Sequence, residues 1–193
     1  MIVDLLRHAS TGRVGHLDGR SDPPLLPGAA DALAAHYRTQ RWSRIIASPR
    51  QRAADTARAF AATHGKTVEI DPCWAEVNFG EWDGLPGAQI DRAALAAFHR
   101  DPHRHPAPGG EAWDDFSSRI ELGLHGLLSS AGQVPLLVVS HAGALRMALS
   151  LACGFPLPAL WALRIDYGTR LRLRVEMTPR GERWGELLEI EQP

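Results

Sequence analysis

The chain has 193 residues, 45% of them hydrophobic and 22% charged, with a formal net charge of -1. This length and composition suit one well-packed globular domain over residues 1–193. The balanced charge excludes a broadly basic surface, so neither nucleic acid nor an anionic membrane is expected as a partner; positive potential has to be local. Cys73 and Cys153 lie in no Cys-x-x-Cys pair, and reduced, buried thiols are expected rather than a disulfide framework. No apolar run approaches the roughly 20 residues of a spanning helix. The N-terminus enters an apolar strand without a basic leader, and a cytoplasmic location is expected.

Taken in chain order, Ile2–Leu6 is short, apolar and β-branched and reads as a buried strand. Gly28–Arg38, rich in alanine and leucine, reads as a helix, and Arg44–Ala47 as a second strand. Ser48 as N-cap and Pro49 at the first helical position predict a helix over Pro49–Thr63. From Gly80 to Gly110 the rhythm breaks: Pro86, Pro102, Pro106 and Pro108 surround one predicted helix, Asp91–His99. This stretch, about 80–110, is expected to be a short cap insertion over the active end of the sheet. Trp113–Leu128 carries Phe116, Ile120, Leu124 and Leu127 at helical spacing. Leu136–Ser140 is the strongest strand signal, and a helix over Ala142–Ala152 follows it directly. In the tail, Trp161–Asp166, Leu171–Glu176 and Arg183–Ile190 read as antiparallel strands, the last two joined by a turn at Pro179-Arg180-Gly181. Apolar strands alternating with helices predict an α/β protein: a three-layer α/β/α sandwich with a mostly parallel central sheet and at least one antiparallel strand.

Ligands of such sheets bind at the carboxyl ends of the strands. Arg7 and His8 end the first strand, Ser48 the second and His141 the third. Each residue has a plain explanation on its own: a satisfied strand-end histidine, a surface arginine, a solvated loop carboxylate at Glu76. Together they suit a phosphate. His8 is placed to attack phosphorus through one ring nitrogen while the other donates to a backbone carbonyl. Arg7 and Arg52 can grip phosphoryl oxygens, and His141 can stabilise the transferring group. Arg50 competes with Arg52, but two residues apart on a helix only one can face the pocket. Glu76 is the candidate general acid, kept protonated by burial under the cap, with Glu81 and Asp83 as nearby competitors.

The chain closely resembles the histidine phosphatase, or phosphoglycerate-mutase-like, superfamily. The resemblance rests on five blocks in order: Leu6-Arg7-His8-Ala9-Ser10-Thr11, Ser48–Ala57, Glu76–Gly84, Pro108-Gly109-Gly110-Glu111 and Ser140-His141-Ala142-Gly143. It implies that His8 becomes a phosphohistidine, that Arg7, Arg52 and His141 complete the phosphate pocket, and that Glu76 is proton donor and then base for water. It implies no metal and no cofactor. Many members have an asparagine a few residues after the nucleophile; here the stretch reads Thr11-Gly12-Arg13-Val14-Gly15. Thr11 or a backbone amide is left to take that phosphate contact, and Arg13 becomes a candidate substrate contact, as do Trp82 and Glu111.

The cap is shorter than those usual in mutases of the family, which favours hydrolysis over phosphoryl re-transfer. The blocks Gly19–Leu25, Asn78–Gly84 and Pro108–Glu111 look most like α-ribazole-5′-phosphate phosphatases of cobalamin synthesis. Trp82, Phe98, Trp113 and Trp161 are candidates to stack on an aromatic base, against the plainer role of core packing. His99, His103 and His105 have irregular spacing and no acidic or cysteine partner, and are expected to be a solvated or substrate-facing surface rather than a metal site. The partner expected is a small phosphorylated metabolite; the tail strands offer an edge for a homodimer.

Overall fold

A computed structural model describes residues 1–128, 134–178 and 183–193. Strands β1 (Ile2–Arg7), β2 (Ile45–Ala47), β3 (Val68–Ile70), β4 (Leu136–Ser140), β5 (Arg170–Met177) and β6 (Arg183–Glu191) form one sheet in the order β3-β2-β4-β1-β5-β6. β1, β2, β3 and β4 are mutually parallel where they pair, while β5 runs antiparallel to both β1 and β6. The α-helices among the described residues are α1 (Ala29–His36), α2 (Gln51–His64), α3 (Arg92–Arg100), α4 (Trp113–Leu128), α5 (Ala142–Cys153) and α6 (Leu157–Leu160).

Alternation along the central strands divides the core between the two faces of the sheet. Val3, Leu5, Leu136 and Val138 pack with Phe116, Ile120 and Leu124 of α4 and Leu145 and Leu149 of α5. Leu6, Leu137 and Val139 pack on the opposite face with Leu33 of α1 and Ala57 and Phe60 of α2. This is the expected α/β/α sandwich. Beneath β1 the fully buried Asp4 accepts from Trp42 Nε1 at 2.7 Å and from Arg170 and Arg172.

Several local expectations are corrected. β3 carries no strong apolar signal because it is a three-residue edge strand, largely exposed. Trp161–Asp166 is not a strand. Its carbonyls are taken by side chains instead: Arg146 Nη2 donates to Leu163 O at 2.9 Å, Gln192 Nε2 to Arg164 O at 2.7 Å and Arg7 Nη1 to Ile165 O at 2.8 Å. α2 starts two residues later than Pro49, at Gln51, and Ser48 is not its cap. Asp22 from a distant loop accepts from the Gln51 amide at 2.5 Å and the Arg52 amide at 3.3 Å, doing the work of an N-cap. The cysteines are free but half-buried rather than fully buried. The Pro179-Arg180-Gly181 turn lies outside the described residues.

The 80–110 segment folds as two short 3-10 turns, Gly80–Trp82 and Gly87–Gln89, followed by α3, whose N-cap Asp91 accepts from the Ala94 amide at 2.8 Å. It is fastened to the loop after β1. Leu17 N donates to Leu85 O at 2.9 Å, Gly84 N to Leu17 O at 2.9 Å and Gly87 N to Gly15 O at 2.8 Å. Asp83 accepts from the amides of Gly19 and Ser21, both at 2.8 Å. Gly80 is required at its place: its φ is 54°, and a Cβ there would collide with the Pro108 carbonyl and the Gly110 amide. No helix among the described residues is long and apolar enough to cross a membrane.

Candidate active site

β1 and β4 are adjacent and parallel, so their ends deliver Arg7, His8 and His141 to one point. β2 lies on the other side of β4 and brings Ser48 there, with Arg52 in the first turn of α2. His8, Arg52 and His141 are all buried, and with Arg7, Thr11 and Glu76 they line a cavity of about 150 Å³. The opposite walls are Leu17, Val77, Phe79, Phe98, Trp113 and Trp161.

His8 Nδ1 lies 2.8 Å from the carbonyl of Ala9. A carbonyl only accepts, so this bond fixes the proton on Nδ1 and leaves a lone pair on Nε2. Arg52 Nε donates toward that Nε2 at 3.3 Å. Burial pushes the His8 pKa well below the ordinary histidine value, and the positive charges of Arg52 and Arg7 push it further. His8 is therefore held as a neutral imidazole with a defined tautomer, which is what a nucleophile needs.

Arg52 is 1% exposed and tightly aimed. Its Nη1 donates to Ser21 O at 2.7 Å and Asp22 Oδ1 at 3.0 Å, and its Nη2 to Asp18 O at 2.6 Å. Arg50 points elsewhere, to a separate surface cleft with Arg20 and Arg119, so Arg52 is the helix arginine that faces His8. Arg7 Nη1 donates to Ile165 O at 2.8 Å, its Nε is buried without a partner among the described residues, and burial lowers its pKa. The ring of Tyr167 lies 4.0 Å from its guanidinium carbon.

His141 stands edge-on to His8, ring centroids 5.2 Å apart. Its Nε2 is 2.7 Å from Ser48 Oγ. That hydroxyl also accepts from the Arg50 amide, and with a proton and a second lone pair left it can serve either tautomer of the ring. Nδ1 has no partner among the described residues. Burial and then Arg52 hold the His141 pKa well below the ordinary value, so this ring is neutral rather than a cation.

Glu76 sits where the 3-10 turn Pro72–Trp74 leads into the cap, with its carboxylate against the start of α5. Oε1 accepts from the amides of Ala144 at 3.0 Å and Val77 at 3.1 Å, and Oε2 from Gly143 at 3.0 Å. A carboxylate offers about four acceptor sites; three are used, and the remaining one is on Oε2. That is the place for a transferable proton. Glu81 and Asp83 are not in the cavity lining, and Asp83 is committed to the Gly19 and Ser21 amides.

The other expected contacts divide. Thr11 lines the cavity, with its Oγ1 2.9 Å from the hydroxyl of Tyr167. Phe98, Trp113 and Trp161 line it too, but Phe98 and Trp113 are almost wholly buried in the roof core. Trp82 does not line it and packs edge-on to Phe98, centroids 5.8 Å apart. Arg13 turns away: it forms an ion pair with Asp18 at 3.0 Å and donates to Gly84 O at 2.8 Å, bracing the cap. Glu111 is held by Arg119 outside the cavity, at 2.6 Å and 2.9 Å. His99 lines the cavity, while His103 pairs with Asp114 on the surface. Among the described residues no three His, Cys, Asp or Glu side chains come together as a metal site. Tyr167, Asp22, Arg119 and Arg146 were not singled out from the sequence. None stands in a run with a local pattern that ties it to the strand ends.

The family profile described as "Histidine phosphatase superfamily (branch 1)" matches residues 3–186. The chain belongs to the histidine phosphatase superfamily. A protein of Mycobacterium tuberculosis described as bifunctional is 32% identical over 84% of this chain, and the chain spans only 47% of that relative's length. An adenosylcobalamin/alpha-ribazole phosphatase of Salmonella typhimurium is 27% identical, over 85% of each chain. The native structure of a mycobacterial glucosyl-3-phosphoglycerate phosphatase is 25% identical and superposes with a TM-score of 0.84 over 96% of each chain. This superfamily member is therefore similar, in fold or in sequence, to phosphatases of differing named substrates.

Proposed function

We propose that the protein is a metal-independent phosphomonoesterase that works through a phosphohistidine on His8. The observation that carries this reading is the His8 ring: Nδ1 tied to the Ala9 carbonyl, Nε2 unprotonated and facing the cavity beside Arg52. In the first step the Nε2 lone pair forms a bond to phosphorus as the ester P–O bond breaks. The leaving oxygen takes a proton from Glu76 Oε2. Arg7, Arg52 and the Nδ1–H of His141 offset charge on the phosphoryl oxygens. In the second step Glu76, now a carboxylate, takes a proton from water; the water oxygen bonds to phosphorus, the N–P bond breaks, and its electron pair returns to Nε2. Inorganic phosphate leaves and Glu76 is again protonated.

The asparagine contact usual in the resemblance is replaced here by the Thr11–Tyr167 hydroxyl pair. Only one of the two protons is used within the pair, so one O–H remains for a phosphoryl oxygen.

The substrate is a small phosphorylated metabolite of the cytoplasm. α-Ribazole-5′-phosphate is the specific substrate that the aromatic wall and the Salmonella relative favour. The test is phosphate release, without added metal, from α-ribazole-5′-phosphate, 3-phosphoglycerate, fructose bisphosphates and a phosphohistidine peptide. A kcat/KM for α-ribazole-5′-phosphate on the order of a hundredfold above the rest supports the specific reading. A flat profile keeps the mechanism and makes the enzyme a broad-specificity phosphatase. Interconversion of 2- and 3-phosphoglycerate without net hydrolysis would replace it with a mutase.

A further inference from the structure

Arg119, on α4 and outside the cavity, has all five of its N–H groups engaged. Nη1 donates to the carbonyls of Cys73 at 3.0 Å and Ala75 at 2.6 Å; Nη2 donates to the carbonyl of Glu76 at 2.9 Å. Nε and the other Nη2 proton grip Glu111 as a fork, at 2.6 Å and 2.9 Å. Glu111 in turn accepts from the Asn78 amide at 3.2 Å, and its own amide donates to Asn78 O at 2.9 Å. The pair therefore touches the backbone on both sides of Glu76, from residue 73 to residue 78. The guanidinium also lies over the Phe116 ring, 4.7 Å from its centroid, which fixes its plane.

These carbonyls belong to an irregular segment with no ladder to hold it. Cys73–Asn78 leaves a single 3-10 turn and passes over the strand ends. A planar, always-charged fork is the side chain that can collect several carbonyls and a carboxylate at once. Lysine, a point charge with three donors, cannot make the same set.

We propose that Arg119 and Glu111 are positioning residues for proton transfer: they set the backbone from which Glu76 reaches the leaving group. This gives Glu111 a role other than substrate contact. The inference rests on the phosphomonoesterase reading above. A proton donor displaced by about an ångström can lose on the order of a hundredfold in rate. That loss falls only on esters whose leaving group needs the proton. A merely structural weakening lowers all substrates alike.

The experiment compares kcat/KM, which reports phosphoryl transfer to His8, for β-glycerol phosphate and p-nitrophenyl phosphate; the nitrophenolate leaves without a proton. The reference is Glu76→Gln, expected to lose about a hundredfold or more on the alkyl ester and far less on the nitrophenyl ester. Arg119→Met is expected to show the same skew, about 10- to 100-fold against less than about threefold, and Arg119→Lys to recover part of it. Should Arg119→Met not fold, Glu111→Gln is expected to give the skew in smaller measure. Equal loss on both esters, or no loss, in the folded variant overturns the proposal. Wild-type protein that hydrolyses neither ester removes the phosphomonoesterase reading itself, and a Glu76→Gln variant without skew removes Glu76 as the acid; either outcome removes this inference with it.

Discussion

The carboxylate of Glu76 rests directly on Gly143. Oε2 accepts from the Gly143 amide at 3.0 Å, and a Cβ at position 143 would overlap Oε1. The glycine after Ser140-His141-Ala142 is thus explained by a residue 67 positions earlier in the chain. Gly143→Ala is expected to displace Glu76 and lower kcat/KM for alkyl phosphates by about a hundredfold, with the fold retained by circular dichroism. Wild-type rates in that variant would mean that the carboxylate position is not critical.

The pH dependence follows from the buried histidines. His8 is neutral well below the ordinary histidine pKa of about 6.5, so the nucleophile is not lost as pH falls through that value. The acid limb of kcat/KM is expected below the ordinary histidine range and the maximum in the acidic-to-neutral range. A midpoint for loss of nucleophile at or above about 6.5 would contradict the site electrostatics.

The same shifts bear on stability. Below about pH 6.5 the unfolded chain takes up protons at His8 and His141 that the folded chain does not, so unfolding becomes easier as pH falls. Urea unfolding free energies are expected to decrease between pH 7.5 and 5. The double variant His8→Gln/His141→Gln is expected to flatten that slope. An unchanged slope would show that other groups dominate it.

Tyr167 lines the cavity with its ring over Arg7 and its hydroxyl against Thr11. Tyr167→Phe keeps the ring and removes one of the two hydroxyls. Inhibition by inorganic phosphate is expected to weaken about tenfold, in line with the loss of a hydrogen bond to a charged group. Unaltered inhibition would leave the phosphate contact to Thr11 or to a backbone amide.

Beneath the site, Asp4 is fully buried between Arg170 and Arg172. Removing one member of a buried ion pair leaves uncompensated charge, and Asp4→Ala is expected to cost about 3 kcal/mol in urea unfolding at pH 7. A cost below about 1 kcal/mol would mean that Glu189 and Glu191, which also meet Arg170, suffice to neutralise it.

Much of this site was legible because β4 is an apolar run, and β1 one broken only by Asp4, and both end in polar residues. Their parallel pairing alone brings His8 and His141 together. The tail was harder to read. Trp161–Asp166 has strand-like composition, yet distant side chains claim its carbonyls: Arg146 takes that of Leu163, 17 residues away, and Arg7 that of Ile165, 158 residues away. Asp22 caps α2 from a loop 29 residues upstream, and Ser48, next to the helix, is used by His141 instead. Arg119 and Tyr167 were missed for the same reason. Their roles are set by tertiary contacts across 46 and 156 residues, which no local pattern announces. Arg13 and Glu111 were read as substrate contacts from their place in motifs, whereas in the structure both spend their charge on neighbouring segments.

The central claim is that phosphate passes through His8. The most direct measurement is intact mass and peptide mapping after rapid mixing with a phosphomonoester and a quench at neutral or basic pH. The account predicts an adduct of one HPO₃ on the His8 peptide in wild-type protein, accumulating further in Glu76→Gln with p-nitrophenyl phosphate, and absent in His8→Ala. Continued turnover by a folded His8→Ala variant, or an adduct on any other residue, would contradict it.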